Sequence, residues 1–198
     1  MGKVAGVTGL SISGYSQAIG TTYQPAWEGG QYTFLSAAEQ LRVWSASASD
    51  TSVQVKIDGL SSTYAPLSET VTLTNGITGV LTTGSFLRVN NVNIVGTVQN
   101  VGQISVGNSG KTNTLAIVGI TTNITAGRSQ MSVYTVPAGY TFYLTRVGAY
   151  CGSVSQGQNP GNVLYRVATY SPTGILNSVL QTPFTTSYST TRVTPRAY

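Results

Sequence analysis

The chain has 198 residues, a formal net charge of +5 and charged side chains at only 8% of its positions, against about 25% in ordinary soluble domains. One cysteine and no histidine are present, which excludes an internal disulfide, a Cys/His zinc site and every histidine-based catalytic triad. No stretch approaches the roughly 18 apolar residues of a membrane span, and the beginning of the chain lacks the apolar core of a signal peptide. We therefore expect a protein without metal or cofactor that is made in the cytoplasm and is not membrane-bound.

Residues 1–22 predict an extended arm, because glycines recur at short spacing among serines and threonines. A free glycine-rich tail would fray. The apolar side chains of the arm, however, indicate that it docks on a surface. That surface is either its own domain or a neighbouring subunit, and the sequence leaves both open. These side chains are Val4, Val7, Leu10 and Ile12.

Residues 23–49 are rich in aromatic side chains and lead into a segment of ambiguous pattern. Ser36 and Glu39 have the spacing of a capping box, which would begin a helical turn. Leu41 and Val43 alternate as in a strand, and we favour the strand because turns flank it. The aromatic side chains fit stacking on sugars, but packing in a core or an interface is the commoner role. They are Tyr23, Trp27, Tyr32, Phe34 and Trp44.

Residues 51–95 show the clearest alternation of apolar and polar side chains. In VQVKI, Val55 and Ile57 point inward with Val53, whereas Lys56 points outward. This period of two predicts a half-buried strand. Asn75-Gly76 predicts a hairpin turn between two further strands. Asn90-Asn91 interrupts the next apolar pattern and predicts a β-bulge.

Residues 129–152 form the densest apolar and aromatic stretch and predict a hairpin that folds as a local unit. Met131 marks the inward face of its first arm, and Tyr140, Phe142 and Leu144 mark that of the second. Pro137 suits the second position of a β-turn, and Gly139 eases its exit. Cys151 follows the apolar run FYLTRVGAY within this stretch and is expected to be a small buried hydrophobic side chain.

The succession of roughly a dozen short strands about ten residues apart, with little or no helix, predicts an all-β fold. We expect an antiparallel β-sandwich or a jelly-roll-like arrangement. The domain organisation that follows is an N-terminal arm over 1–22 and a sandwich domain over 23–198. A subdivision of that domain near 110–128 is the alternative.

Catalytic chemistry has little support in the sequence. A glycosidase needs two carboxylates facing each other across a cleft, and the five acidic residues here are scattered. Glu69 is expected to pair with Arg88 or Lys56 across a sheet. Residues 107–112, GNSGKT, resemble the end of a phosphate-binding loop, but the first glycine is missing and a strand pattern follows. We expect no enzymatic activity.

The ten basic residues are spread along the chain rather than gathered in a stripe or a tail. A nucleic-acid-binding surface concentrates its charge, so we expect no nucleic-acid partner. Arg128, beside the predicted hairpin, and Arg192 and Arg196, near the C-terminus, are instead expected to make assembly contacts together with the apolar residues of the arm.

Two segments carry a resemblance to a known group. The first runs from GLSSTYAPLSETVTLTNG at 59–76 to SFLRVNNV at 85–92, and the second is SQMSVYTVPAGYTFYLTRV at 129–147. This pattern resembles a family of small accessory virion proteins of tailed phages, many of them from marine and freshwater bacteria. The resemblance covers about residues 50–150, and its motifs are structural.

The resemblance implies a structural virion protein, made in the host cytoplasm and placed on the particle. The first hypothesis is a capsid decoration or cement protein that binds the major capsid protein on the head surface. It would act as a homo-oligomer, with a trimer the natural form at local threefold sites. The alternative is a tail, fibre or adaptor component that binds host glycans through exposed aromatic side chains. An enzyme such as a depolymerase, using Glu28 or Glu69, is the third.

Overall fold

The computed structural model describes residues 8–17, 20–120, 127–149, 162–170, 176–185 and 191–193. The chain divides into two compact units, residues 1–141 and residues 142–198. All regular secondary structure in the described residues is β-strand. The all-β prediction is thereby confirmed.

The first unit contains seven strands in two antiparallel sheets. One sheet has four strands in the order β4-β1-β6-β7, and the other has three in the order β3-β2-β5. The strands are β1 (Glu39–Ser45), β2 (Gln54–Leu60), β3 (Pro66–Thr72), β4 (Val80–Phe86), β5 (Arg88–Val95), β6 (Ile104–Asn108) and β7 (Thr114–Val118).

The two central strands, β1 and β2, occur where the alternation of apolar and polar side chains predicts them. Leu41 and Val43 on β1 and Val55 and Ile57 on β2 are fully buried. The strand reading of the segment at 39–45 is therefore correct, and no helical turn forms there. Burial of the alternate side chains outweighs the weak preference of a capping box, since each buried aliphatic side chain contributes about 1.5–3 kcal/mol.

One hydrophobic core joins the inner faces of the two sheets. It combines side chains of β1, β6 and β7 with side chains of β2 and β5, and it includes Trp27 from the segment before β1. Trp27 and Phe86 are its largest members. This core confirms the predicted β-sandwich.

The predicted hairpin at Asn75-Gly76 is wrong, because β3 and β4 do not pair with each other. β3 pairs with β2 and β4 pairs with β1, so the turn carries the chain from one sheet to the other. The Asn75 carbonyl accepts the Gly79 N–H at 2.8 Å, and Gly79 has φ +72°. This left-handed conformation suits glycine and aims β4 at the edge of the four-stranded sheet.

The predicted bulge on β5 is confirmed. Asp58 lies opposite Asn91 and Gly59 lies opposite Val89, so Asn90 is the extra residue. A bulge of this kind redirects one side chain out of the regular pattern, and the side chain redirected here is Asn90.

Asp50 is a buried carboxylate that ties β1 to the loop before β6. It is 1% exposed. Its oxygens accept the hydroxyl of Ser45, the N–H of Val101 at 2.8 Å and the N–H of Gly102 at 3.0 Å. Three donors offset the cost of removing a charge from water, so Asp50 serves the fold.

Glu69 closes the corner where β3 approaches β4. Its carboxylate accepts the backbone N–H of Thr83 at 2.7 Å and that of Gly84 at 2.8 Å. The expected ion pair of Glu69 with Arg88 or Lys56 is therefore wrong. The N–H groups of an edge strand are stronger partners than a side-chain cation across the sheet, because they are fixed in place.

The second unit contains β8 (Val147–Ala149), β9 (Asn162–Tyr170), β10 (Leu176–Thr185) and β11 (Thr191–Val193). β9 pairs antiparallel with β10, and β8 pairs antiparallel with β11. Cys151 lies outside the described residues.

Substitution of Asp50 by alanine is expected to lower the free energy of unfolding by about 3 kcal/mol, because it leaves buried N–H groups without an acceptor. Asp58→Ala is the matched control. Asp58 is partly exposed and pairs with Lys56, so its loss is expected to cost less than about 1 kcal/mol. Urea denaturation followed by tryptophan fluorescence measures both, and equal losses would contradict the structural role of Asp50.

Candidate interaction groove

Residues 127–135 cover the outer edge of β5. Ser129 donates its backbone N–H to the Val92 carbonyl at 2.7 Å, and Ile94 donates to the Gly127 carbonyl at 2.8 Å. The Ser129 hydroxyl accepts the Val92 N–H at 2.9 Å. A side chain thus completes a hydrogen bond that a regular strand would form with its backbone.

Asn90, the bulged residue, fastens the same segment further along. Its amide donates to the Thr135 carbonyl at 2.9 Å and accepts the Thr135 N–H at 2.8 Å. Two hydrogen bonds to one backbone residue copy the pairing of a neighbouring strand. The bulge in β5 therefore frees the Asn90 side chain to hold the covering segment at Thr135.

The hairpin predicted over 129–152 is only partly correct. A turn is present, closed by the Tyr140 N–H on the Pro137 carbonyl at 3.2 Å, so Pro137 occupies the first position and Gly139, with φ +79°, the third. Met131 is buried in the core. Tyr140, however, is 70% exposed and Phe142 is 43% exposed. The first arm pairs with β5 instead of a second arm, so the inward face predicted for the second arm does not form.

The N-terminal arm is held on the same segment by a slot at Gly14. Tyr15 donates its N–H to the Gln130 carbonyl at 3.3 Å. A Cβ at Gly14 would lie 2.0 Å from the Ala26 carbonyl oxygen and 2.7 Å from the Ser132 nitrogen. Ala26 and Ser132 are themselves joined by two hydrogen bonds. The arm therefore docks on its own unit at this point, and only glycine fits.

Beyond the slot, the arm borders a groove of about 500 Å³. The arm forms one side, the ends of β2 and β3 form another, and β5 with the segment that covers it completes the lining. Burial raises the pKa of the Tyr134 hydroxyl in this lining. The lining residues are Leu10–Ser13, Asp58–Leu60, Pro66–Ser68, Asn90, Asn91, Asn93, Arg128, Ser129, Met131, Tyr134 and Pro137.

Strand register aligns polar side chains beside this groove on the outer face of the three-stranded sheet. Lys56 lies between Thr70 and Asn93, and Arg128 lies opposite Asn93. Directly opposed residues of an antiparallel pair share a face. Arg128 and Asn93 are therefore neighbours on this face.

The charges of the groove do not cancel. Lys56 Nζ lies 3.0 Å from Asp58 Oδ1, so these two side chains neutralise each other. Arg128 is exposed, and the structure gives its guanidinium no hydrogen bond or ion pair with any described residue. Within the described lining, its positive charge is therefore the one left unmatched.

The structure places three of the predicted assembly residues together. Leu10 and Ile12, 51% and 39% exposed, and Arg128 all line the groove. Val4, Val7 and Arg196 lie outside the described residues. Arg192 lies on β11 opposite Gly148, and its side chain is not among those described. The contact role of these residues stays a prediction.

Most aromatic side chains near the N-terminus pack against one another. Tyr32 contacts Trp27 and Phe34 edge to face, with centroids 5.2 and 5.0 Å apart. Arg88 extends the row, with its guanidinium carbon 4.9 Å from the Phe34 ring centroid and 5.7 Å from the Tyr64 centroid. The packing role of these rings is thereby confirmed, and the part of Arg88 had no signal in the sequence.

Trp44 and the segment at 107–112 also have structural roles. Residues 109–113 turn the chain between β6 and β7, so GNSGKT does not precede a helix and cannot cradle a phosphate as a phosphate-binding loop does. Lys111 instead places its ammonium 5.5 Å from the Trp44 ring centroid and donates to the Ile77 carbonyl at 2.5 Å.

Among the residues that the structure describes, no group of three acidic, histidine or cysteine side chains is placed to hold a metal ion. No helix long and apolar enough to cross a membrane occurs in that same part of the chain. No protein-family model, curated protein or solved structure matches the sequence or the fold.

Gly14→Ala is expected to release the arm from its slot, because the new Cβ would collide with the Ala26 carbonyl. Limited proteolysis with proteinase K should then cleave the arm several times faster while the sandwich stays resistant. Gly9→Ala is the control, since nothing lies within 4 Å of a Cβ at Gly9. Equal cleavage of both variants would contradict the slot.

Tyr32 gives the fold a pH dependence at the alkaline end. Burial raises the pKa of its hydroxyl well above the ordinary value of 10.0, so above about pH 10 the unfolded chain loses this proton before the folded chain does. Stability from this group is complete below that pH and is lost as the pH rises further. Tyr32→Phe should show a weaker decline of unfolding free energy above pH 10 than the wild type, and parallel curves would contradict this cause.

Proposed function

We propose that this protein is a non-enzymatic structural subunit of a phage particle, a decoration protein that binds the outside of the head. The observation that carries the proposal is the groove at which Leu10, Ile12 and Arg128 meet. Exposed apolar side chains beside an unmatched guanidinium are typical of a protein contact surface. The resemblance of residues 59–92 and 129–147 to accessory virion proteins supports the choice of particle.

The partner in this proposal is the major capsid protein, and the contact stabilises the head by burying the arm. Each apolar side chain that the contact covers adds about 1.5–3 kcal/mol before the cost of ordering is deducted. Copies of the protein associate with one another on the head, as trimers at local threefold positions. A surface with few charges tolerates such crowding, since neighbouring copies repel one another weakly.

The positions of the carboxylates support a protein without catalytic activity. Asp50 is buried under three donors, Glu69 binds the backbone of β4, and Asp58 pairs with Lys56. Glu39 accepts hydrogen bonds from the N–H and hydroxyl of Ser109. A general acid or base needs a carboxyl group that faces a substrate, and these four have other partners.

Packing of four of the five aromatic side chains at 23–44 weighs against these four as the site of a glycan-binding tail component, whereas Tyr23 is 41% exposed. That function needs rings open to a sugar face. Trp27 is 2% exposed, Tyr32 and Phe34 pack in a row, and Lys111 covers one face of Trp44. The head decoration proposal has no such requirement.

Purified protein is expected to pellet with undecorated capsids at a saturating, fixed copy number and not with host cells. Replacement of Leu10 and Ile12 by serine should reduce capsid binding at least several-fold, because the contact loses its apolar side chains. Both residues are exposed, so the variant should unfold at the wild-type urea concentration. Serine in place of Ile77, which is exposed elsewhere, is the matched control.

Binding of the wild type to host cells alone would overturn the decoration role and assign the protein to the tail. Binding of the serine variant as strongly as the wild type would move the contact away from the groove. Sedimentation of the free protein and the copy number on the capsid together test the trimer.

A further inference from the structure

We infer that the groove binds an extended, acidic segment of a partner polypeptide, with a carboxylate of that segment on Arg128 and its backbone beside the arm at Leu10–Ser13. This inference rests on the proposed function, because it specifies what the partner on the particle presents. It adds the chemistry of the partner: a strand-like chain that carries glutamate or aspartate.

The charge of the groove selects an anion. Lys56 neutralises Asp58, which leaves the guanidinium of Arg128 without a counter-charge among the described lining residues. A guanidinium offers two parallel N–H donors that match the two oxygens of a carboxylate. Asn91 and Asn93 flank this position on the same face, and the structure gives their amides no hydrogen bond with another described residue. They are free to bind the neighbouring polar groups of a ligand.

The backbone of the arm offers the second half of the site. Among the described residues, the first backbone hydrogen bond of the arm is that of Tyr15, and Thr8–Gly14 form none. Of these residues, Leu10–Ser13 line the groove, and their backbone N–H and C=O groups form no hydrogen bond with the backbone of another described residue. Unpaired backbone of this kind is a template for adding a strand, in which main-chain hydrogen bonds give affinity and side chains give specificity.

Other occupants fit these observations less well. A glycan would need an open aromatic face, and the aromatic ring among the described lining residues, Tyr134, is partly buried and already engaged. A second copy of this chain would have to supply a carboxylate. Its acidic side chains are few, and each of them already has an interaction in the structure. An acidic segment of a different polypeptide meets both requirements.

The test uses the full chain and a short fluorescent peptide of alternating glutamate and threonine, titrated by fluorescence polarisation at low salt. Saturable binding is expected, and Arg128→Gln should weaken it by about tenfold or more, as the loss of a charged hydrogen bond implies. Lys111→Gln is the matched control, since Lys111 is exposed, belongs to the same unit as the groove and is not among its described lining residues. A neutral peptide, with glutamine in place of glutamate, should bind the wild type no more tightly than the acidic peptide binds Arg128→Gln.

Proline substitutions in the arm test whether peptide binding uses backbone hydrogen bonds of the arm as well as the charge of Arg128. Ser11→Pro and Ile12→Pro each remove one N–H group, and at least one of them should weaken peptide binding while Arg128 is unchanged. Equal binding of the acidic and neutral peptides overturns the inference. So does full binding by Arg128→Gln, or by both proline variants.

Capsid pelleting with the same variants keeps this inference distinct from the proposed function. If the wild type and Arg128→Gln bind capsids equally and neither binds the peptide, the decoration role stands and the acidic segment is wrong. If the wild type binds the peptide but no capsid, the groove chemistry stands and the decoration role is wrong. If the peptide and the capsid compete for the wild type, and this competition is lost in Arg128→Gln, the result supports both the acidic segment and the decoration role.

Discussion

The pairing of residues 127–135 with the outer edge of β5 is the contact on which the groove depends. It buries Met131 in the core, sets Arg128 opposite Asn93 and supplies the carbonyl of Gln130 to the arm. Without it, β5 would be an open edge and the arm would have no surface on which to dock. The segment lacks regular strand geometry because side chains of Asn90 and Ser129 replace part of the backbone ladder.

Local sequence patterns predicted individual strands, but which strands pair and which faces are covered depends on long-range contacts. Alternation identified β1 and β2 because burial of one face follows directly from a period of two. The same alternation at Tyr140, Phe142 and Leu144 failed, since a period of two says nothing about whether a partner covers the face. Asn75-Gly76 failed for a related reason: a turn dipeptide bends the chain but does not choose between pairing back and crossing to another sheet.

The sequence predicted contact residues but not the groove that three of them line. Leu10, Ile12 and Arg128 are apolar or charged side chains in segments predicted to be exposed, but Arg128 lies more than a hundred residues after Leu10 and Ile12 in the chain. Only the fold brings them together. Gly14 and Asn90 gave weaker signals, because a glycine in a glycine-rich arm and an asparagine in a bulge are common. Their roles depend on Ala26, Ser132 and Thr135, which no local pattern connects to them.

Glu69 has a consequence for whether the four-stranded sheet can be extended by a strand of another copy of this protein. Its carboxylate occupies the two N–H groups of Thr83 and Gly84, which a strand of another molecule would otherwise use to extend the sheet. Sheet extension from molecule to molecule is the first step of fibril growth. At this edge, these two N–H groups are therefore not open to a strand of another molecule, which hinders extension of the sheet from one copy to the next.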